Sequence, residues 1–420
     1  MKKVMKIALL LGATLGVCSA QAGSYQLNDY SVTGLGRSYA GQGIVGDDYS
    51  AIAFNPAGMM LMERSGVQQV FNMINLRADV DGLGANAGKH KKMDFWQPVP
   101  AGFAQYNVND RFKLGVGIYA PFGLKTQYDS GWYGSDAAIL SKLDIVDFNL
   151  SAAYKVTDHL SLGVSAILRY IYGRMTQSVP SMLPVPGVGL RPIGGGDINF
   201  NVHGWTQTAA FGAMYEVNKN TRFGLSYRLR SAQRAKGHFK VGGNANPALN
   251  GNYTVRANPD LPESIALSAY HRYKDVGFSG TARFTHWTSS FPNFTVRSDW
   301  PGLAPSGGEE KKYYHYKNSW TLTGGVDYYY CKNLTFRFGG GWDESPAHDA
   351  SRRTIRIPDN DRWWMSVGAS YMKNNWQIDV GYAHMIAKTA RAEGDAAVNV
   401  TAKYKNMQSH ILGVQVQYKF

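Results

Sequence analysis

Ten histidines, two cysteines and one glycine-rich block are the residues here whose types invite a chemical reading. Nucleophilic catalysis needs a base within reach of a serine or cysteine, and a third group to orient that base. His203, His286 and His384 fall in different alternating stretches, and no spacing ties them to serine or Asx partners. The block GLGRSYAGQG lacks the Gly-Lys-Ser/Thr of a phosphate-binding loop and opens no βαβ unit. The triplet Asn55-Pro56-Ala57 stands alone, whereas helical water channels carry two copies. The basic runs at Lys89–Lys92, Lys311-Lys312 and Arg352–Arg356 read as solvated loop charge or as contacts for anionic lipopolysaccharide phosphates. These residues predict no enzyme, no metal, no cofactor and no nucleic-acid partner.

The ends of the chain say where it works. MKKVMK is basic, IALLLGATLGV is apolar, and Ala20-Gln21-Ala22 is a small-x-small cleavage site. Residues 1–22 therefore read as a secretory signal peptide cut before Gly23. The apolar run is short for a spanning helix, which needs ~20 residues. A lipid anchor on Cys18 is the alternative, with Val17 a poor residue to precede it. Cleavage removes Lys2, Lys3 and Lys6 from a chain of formal net charge +14 and leaves Cys331 alone, so no internal disulfide is expected. Mean hydropathy is −0.30, and by this measure alone the chain is an exported soluble protein.

Periodicity overturns that reading. FKLGVGIYA puts Phe112, Leu114, Val116 and Ile118 on one face, and HLSLGVSAILRY aligns Leu160, Leu162, Val164, Ala166, Leu168 and Tyr170. RFGLSYRLR, LTFRFGGGW and WQIDVGY repeat the scheme, and HILGVQVQYKF carries it to the terminal Phe420. Short polar turns such as Asn109-Asp110, Thr157-Asp158 and Lys373-Asn374-Asn375 alternate with long polar loops near 77–94, 123–144, 175–202, 236–261, 288–316, 344–360 and 388–407. About 14 strands of this kind, alternating at period two, predict an all-β antiparallel transmembrane β-barrel over residues 65–420. In hydrocarbon a sheet must close on itself, and only its outward half meets lipid, so low hydropathy is no obstacle. Trp96, Trp205, Trp287, Trp342 and Trp363 are expected at one membrane interface, and Tyr106, Tyr154, Tyr215, Tyr371 and Tyr418 at the other. The final strand is expected to close against the first, leaving no edge exposed. So wide a barrel needs something in its lumen. Residues 23–64, rich in glycine and without alternation, are expected to form that plug from short helical turns, with Asn55-Pro56 at a bend.

The blocks GLGRSYAGQG…DDYSAIAFNPAG and GWDESPAHDASRRTIRIPDNDRWWMSVGASY resemble the long-chain fatty-acid transporter (FadL/TodX-type) family of Gram-negative outer-membrane proteins. RFGLSYR, LPESIALSAYHRY and the closing strand fit in the same order. The resemblance implies a hatch-plugged barrel passing hydrophobic small molecules inward without energy input, long-chain fatty acids foremost and aromatic hydrocarbons as the alternative. A surface adhesin or phage receptor is a further alternative. Gating is implied at Gly23 and Tyr25 near the mature N-terminus and at Asn55, Pro56 and Ala57. The implied exit is a sideways gap at an inward kink of the third strand, here at Ala120-Pro121-Phe122-Gly123. Proline removes a ladder hydrogen bond and glycine permits a bend; alternatively Pro121 merely starts the next loop. The family's carboxylate contacts carry over unevenly. A lysine matches Lys317, an arginine falls on Gln177 with Arg174 nearby, and a serine becomes Ala120, beside Phe122. Implied partners are lipopolysaccharide and outer-membrane lipids, and the assembly machinery, whose terminal signal Phe420 resembles. A plugged barrel needs no second subunit, so a monomer is expected.

Overall fold

The computed structural model describes residues 25–178, 182–185, 189–192, 195–289, 293–301, 308–395 and 400–420. The expected signal peptide, residues 1–22, and Gly23 lie outside them. Fourteen antiparallel strands form one closed barrel. Its first seven are β1 (Gly66–Gly82), β2 (His90–Asn109), β3 (Phe112–Gln127), β4 (Leu140–Lys155), β5 (Leu160–Ser178), β6 (Asp197–Asn218) and β7 (Thr221–Arg228). The rest are β8 (Glu263–Tyr273), β9 (Val276–His286), β10 (Ser319–Cys331), β11 (Leu334–Asp343), β12 (Arg362–Lys373), β13 (Trp376–Ala387) and β14 (Val400–Lys419). Each pairs with its sequence neighbour, and β14 closes on β1 from Gly66↔Lys419 to Gly82↔Ala402. The Phe420 N–H donates to the Ser65 carbonyl at 2.8 Å, which secures the last residue at the seam.

Side-chain chemistry makes the short turns. The Asn218 carboxamide oxygen accepts from the backbone N–H of Asn220 and Thr221, and Asn109 does the same for Arg111. Thr157 caps the next turn through His159 and Leu160. These local bonds replace ladder bonds where the chain reverses. On the other side the hairpins run past the alternating segments. The expected loop at 77–94 is mostly strand, since β1 and β2 stay paired to Asp81↔His90. The expected loop at 236–261 contains strands Ala235–Gly242 and Gly251–Ala257, the former paired to the outer end of β6. Out in water both faces of a ribbon are polar, so no alternation marks it.

The outward parity is apolar, as read from the sequence. Leu114, Val116, Leu150, Leu162, Val164, Phe223 and Leu225 are exposed. Their neighbours Ser151, Ser161, Ser165 and Arg169 are buried inside. Trp96, Trp205 and Trp363 stand outward, with Tyr106, Tyr154, Tyr215 and Tyr371 toward the short-turn end. Trp287 departs from the expected girdle. It is fully buried and faces the lumen, because it belongs to a turn after β9 whose backbone no longer alternates. Leu150 lies opposite Val116 midway between the two aromatic rows. Val116→Arg or Leu150→Arg is expected to cost about 2–4 kcal/mol, measured by reversible denaturant unfolding from lipid vesicles, whereas Ser165→Arg, facing the lumen, would fail by clashing with the plug.

Candidate functional site

Residues 25–64 occupy the lumen, in α1 (Val32–Gly36), α2 (Ala51–Phe54) and a 3₁₀ turn, Pro56–Leu61. Short helices leave most of their carbonyls unpaired, and buried ones need donors. The wall supplies them as cations. Arg222 donates to the Ile44 and Val45 carbonyls at 2.6 Å each, Arg228 to Ala53 at 2.8 Å, and Lys113 to Met60 and Met62 at 3.0 and 2.6 Å. Asn55 caps the 3₁₀ turn through the Ala57 N–H and donates to the carbonyls of Ala213 and Leu225 in the wall. That approach needs glycine at Gly163 and Gly212, where a Cβ would stand 2.4 Å from the Ala57 nitrogen and 2.1 Å from the Asn55 carboxamide oxygen. On the opposite side a buried quartet of charges ties plug to wall. Arg37 reaches Asp47 at 2.6 Å and Asp327 of β10 at 3.1 Å, while Arg337 of β11 reaches the same two carboxylates at 3.0 and 2.9 Å.

Among the described residues the wall lapses between β2 and β3. β2 and β3 pair only from Asn109↔Phe112 up to Gly102↔Ile118, and above that level neither has the other as a partner. β3 does not end at Pro121. It continues to Gln127 with a one-residue bulge at Ala120-Pro121, between Tyr119↔Asp147 and Phe122↔Ile145. A bulge bends its strand, here carrying the upper half of β3 away from β2. On the facing edge Pro98 and Pro100 pair with Met73 and Phe71 of β1. A proline lacks the N–H that a ladder partner would accept, so two at alternate positions blunt the edge facing β3. The N-terminal segment fills the lapse from within. Gln26 bridges Phe122, the Leu27 N–H donates to the Pro121 carbonyl at 2.8 Å, and the Gly123 N–H donates to the Tyr25 carbonyl at 2.8 Å.

Above these residues lies a narrow apolar pocket that opens to solvent. Tyr25 forms its floor, packed against Phe122 and, edge-on, against Trp287. Leu143, Ile171, Met175, Phe200, Val202 and Ile357 make apolar walls. Ser141, Lys142 and Arg356 form a polar end. On the lumen side of the gap a second apolar cluster gathers Leu27, Leu35, Ile74, Val99 and Ala120. Tyr25 and Leu27 thus separate the pocket from the gap.

The structure brings only some of the sequence candidates together. Tyr25, Phe122, Pro121 and Gly123 meet at the floor, and Ala120 faces the gap cluster. Asn55, Pro56 and Ala57 sit deeper, on the β5–β7 wall. Lys317 lies outside the pocket lining, and its ammonium pairs with Glu344 at 2.6 Å. Arg174 is exposed, on the parity opposite to Gly173 and Met175, which line the pocket. Gln177 stands at the polar end, its carboxamide oxygen accepting from Arg356. The basic runs are largely engaged internally: Lys91 with Asp129, Lys312 with Asp395, and Arg353 with the carbonyls of Asp359 and Ala347. Sequence reading missed Arg356, taken there as loop charge, and the two prolines of β2.

A closed barrel with an apolar exterior, an internal plug, a lapse in the wall and an apolar pocket beside it defines an outer-membrane channel rather than an open aqueous pore. The chain belongs to the outer membrane protein transport protein (OMPP1/FadL/TodX) family, whose model matches residues 13–420. It is a family of transporters and channels of the Gram-negative outer membrane. The chain is 29% identical over 463 residues to a long-chain fatty acid transport protein of Escherichia coli, covering 99% of this chain and 98% of that one. It shares its fold with the crystal structure of a Pseudomonas aeruginosa FadL homologue (TM-score 0.83, 24% identity, 95% and 100% of the two chains). The Ralstonia pickettii toluene transporter TbuX shares it at TM-score 0.65, with 20% identity and 93% and 100% covered.

Removing one partner of a buried charge cluster strands the others, at about 3–5 kcal/mol. Arg37→Met is expected to release the plug while the barrel stays folded. Hydrogen exchange should rise across 32–48 and ion conductance in planar bilayers should rise with it; an unchanged conductance would mean that the other anchors suffice.

Proposed function

We propose that this protein passes hydrophobic compounds, long-chain fatty acids foremost, inward across the outer membrane by diffusion through its wall. The observation that carries this is the wall gap above Gly102↔Ile118, sealed from within by residues 25–27 beside an apolar pocket. An apolar solute gains nothing from a water-filled lumen, and the lumen is occupied. It gains from an apolar pocket, and from there the hydrocarbon of the bilayer is one strand away. Tyr25 and Leu27 act as the gate, held by two backbone bonds to β3 that a shift of the N-terminal segment would break. Residues 1–22 are the signal peptide, 23–64 the hatch and 65–420 the barrel. The protein works as a monomer among lipopolysaccharide, after delivery by machinery that reads the Phe420 strand, and it catalyses no reaction.

Uptake of small aromatic hydrocarbons by the same route is the second reading. It is favoured by the engagement of Lys317 with Glu344 and by the uncharged Gln177 and Ala120, since a hydrocarbon needs no cationic receptor. Asn55→Ala tests the hatch. Losing the cap and two wall contacts should loosen the Pro56–Leu61 turn by ~1 kcal/mol or more and slow uptake, with the barrel intact by heat-modifiable migration. Pro98→Val with Pro100→Val tests the route. Restoring two N–H donors gives β2 the means to pair with β3 and narrow the gap. Uptake of radiolabelled oleate by cells relying on this protein should fall about tenfold or more, with surface levels unchanged. Uptake at the parental rate would show that ligand leaves down the lumen instead.

A further inference from the structure

A barrel offers lipid a convex, apolar wall, and between β11 and β1 this one departs from that pattern twice. Phe71, Phe338, Val367, Val380, Leu412 and Val414 line an open apolar trough on the outer face. Gly368, Gly381 and Gly413 are successive rungs behind it. On the lumen side they let α1 pack onto the wall backbone, where a Cβ on Gly36 would stand 3.0 Å from the Gly368 Cα. The trough is therefore backed by the plug, and its shape is set before anything enters it. At its outer end the outward parity turns polar. Asn75 and Arg77 of β1 and Asp94 of β2 stand beside His384 of β13 and His410 of β14, with Asn75↔His410 and His384↔His410 as ladder pairs. The Arg77 guanidinium meets Asp94 at 3.2 Å, and Asn75 donates to the same carboxylate at 2.9 Å. The Tyr382 hydroxyl, in the trough lining, and the His384 Nδ1 both contact the His410 Nδ1, at 2.8 and 3.3 Å. Asn75 is fully buried although its parity faces lipid, so the cluster is packed rather than splayed. Both imidazoles keep their Nε2 atoms without a partner among the described residues.

Height and charge describe the occupant. Trp96 is the ladder partner of Asn75, so the polar cluster lies in the outer aromatic row, at head-group level. From His410 down to Val414, β14 descends four residues, about 13 Å, close to half of the ~25 Å apolar band. The trough thus belongs to the outer leaflet. Across its five strands it spans about 19 Å, room for several acyl chains side by side. Farther out on the same ribbons stand Lys92 and Lys403, which have no ion-pair partner among the described residues. Asp79, opposite Lys92, accepts from Asn406, and Asp81, opposite Lys403, is held by His90 and Lys405. Guanidinium, imidazole and ammonium donors at two heights call for phosphate at two heights. A lipid with one phosphate and two tails answers only one of them. A glycolipid with several phosphates and several tails answers both and fills the trough.

We infer that this face is a built site for one molecule of lipopolysaccharide. Acyl chains lie in the trough, a phosphate sits on Arg77, His384 and His410, and Lys92 and Lys403 take phosphates farther out. The site is separate from the ligand route, so its failure leaves the transport reading untouched. The test uses the purified barrel with its plug, stripped of lipid and titrated in micelles with deep-rough lipopolysaccharide, the same molecule dephosphorylated, and phosphatidylglycerol. Native mass spectrometry reads how many molecules stay bound. One lipopolysaccharide per barrel is expected, held about tenfold or more tighter than either comparator. Arg77→Gln with His384→Gln and His410→Gln should remove that preference. Val414→Trp, which stays apolar but fills the trough, should weaken lipopolysaccharide about as much with the polar cluster intact. Heat-modifiable migration confirms that each variant is folded, and oleate uptake should not change in either. Phosphatidylglycerol held as tightly as lipopolysaccharide would make the trough ordinary lipid-facing wall. Paired barrels that separate in Val414→Trp would give it to a second copy of the chain. Parental affinity in both variants would place lipopolysaccharide elsewhere. Each of these three results overturns the inference.

Discussion

A backbone in hydrocarbon has no water to satisfy its N–H and C=O groups, so every strand needs two partners. That constraint closes β14 on β1, secures the last residue at the seam, and leaves no edge there. It also makes the β2–β3 lapse informative. A gap in such a wall is tolerable only where the orphaned groups are removed or answered from inside. Both devices are present. Pro98 and Pro100 have no N–H to orphan on the edge of β2, and the kinked part of β3 is answered by the backbone of residues 25–27. The opening is therefore built from backbone chemistry on both strands, and the N-terminal segment stands where a wall partner of β3 would be.

The lumen obeys the same accounting with different donors. Plug helices of four or five residues cannot satisfy themselves, and ladder partners are already spent on the barrel. Arginine and lysine from the inward parity do the work, reaching Ile44, Val45, Ala53, Met60 and Met62 with long side chains that bridge an irregular gap. The Arg37–Asp47–Asp327–Arg337 quartet adds specificity more than stability, since burying two ion pairs roughly repays its own desolvation. It fixes the plug at one rotation within a barrel whose inner wall is otherwise a repetitive polar surface.

What the sequence made legible follows from this physics. Outward alternation is imposed by lipid along the whole wall, so Leu162, Val164, Phe223 and Leu225 could be read without a structure. The plug showed through composition, and the kink through Ala120-Pro121-Phe122-Gly123. The paired prolines were equally visible; their meaning depended on knowing which strand edge they face. The pocket was not legible. Its members come from β3, β4, β5, β6, the plug and three of the outer connections, a juxtaposition that no local pattern encodes. Lys317 matched a lysine position, yet its charge is taken by Glu344, 27 residues on. Trp287 matched the girdle by type and place, and a turn rotated it inward. Arg356 sat in a basic run, and only the fold shows that its side chain lines the pocket while that of Arg353 is tied to the carbonyls of Asp359 and Ala347.

On the transport route proposed above, the position of Tyr25 would turn binding into opening. A ligand can open a gate only by the difference in its affinity for the two states. Tyr25 gives the pocket its floor and, through its own carbonyl, helps hold the N-terminal segment to β3 at Gly123. A tail that reaches the floor must compete with the Tyr25 ring for Phe122 and Trp287, and that competition is absent while the pocket is empty. Short ligands that stop at the level of Met175 would bind without touching the seal. On that route, ligand length beyond the polar end of the pocket would be the quantity that bears on the seal. The polar end and the Tyr25 floor would then act together, because the fixed distance between them would decide which bound molecules reach the seal.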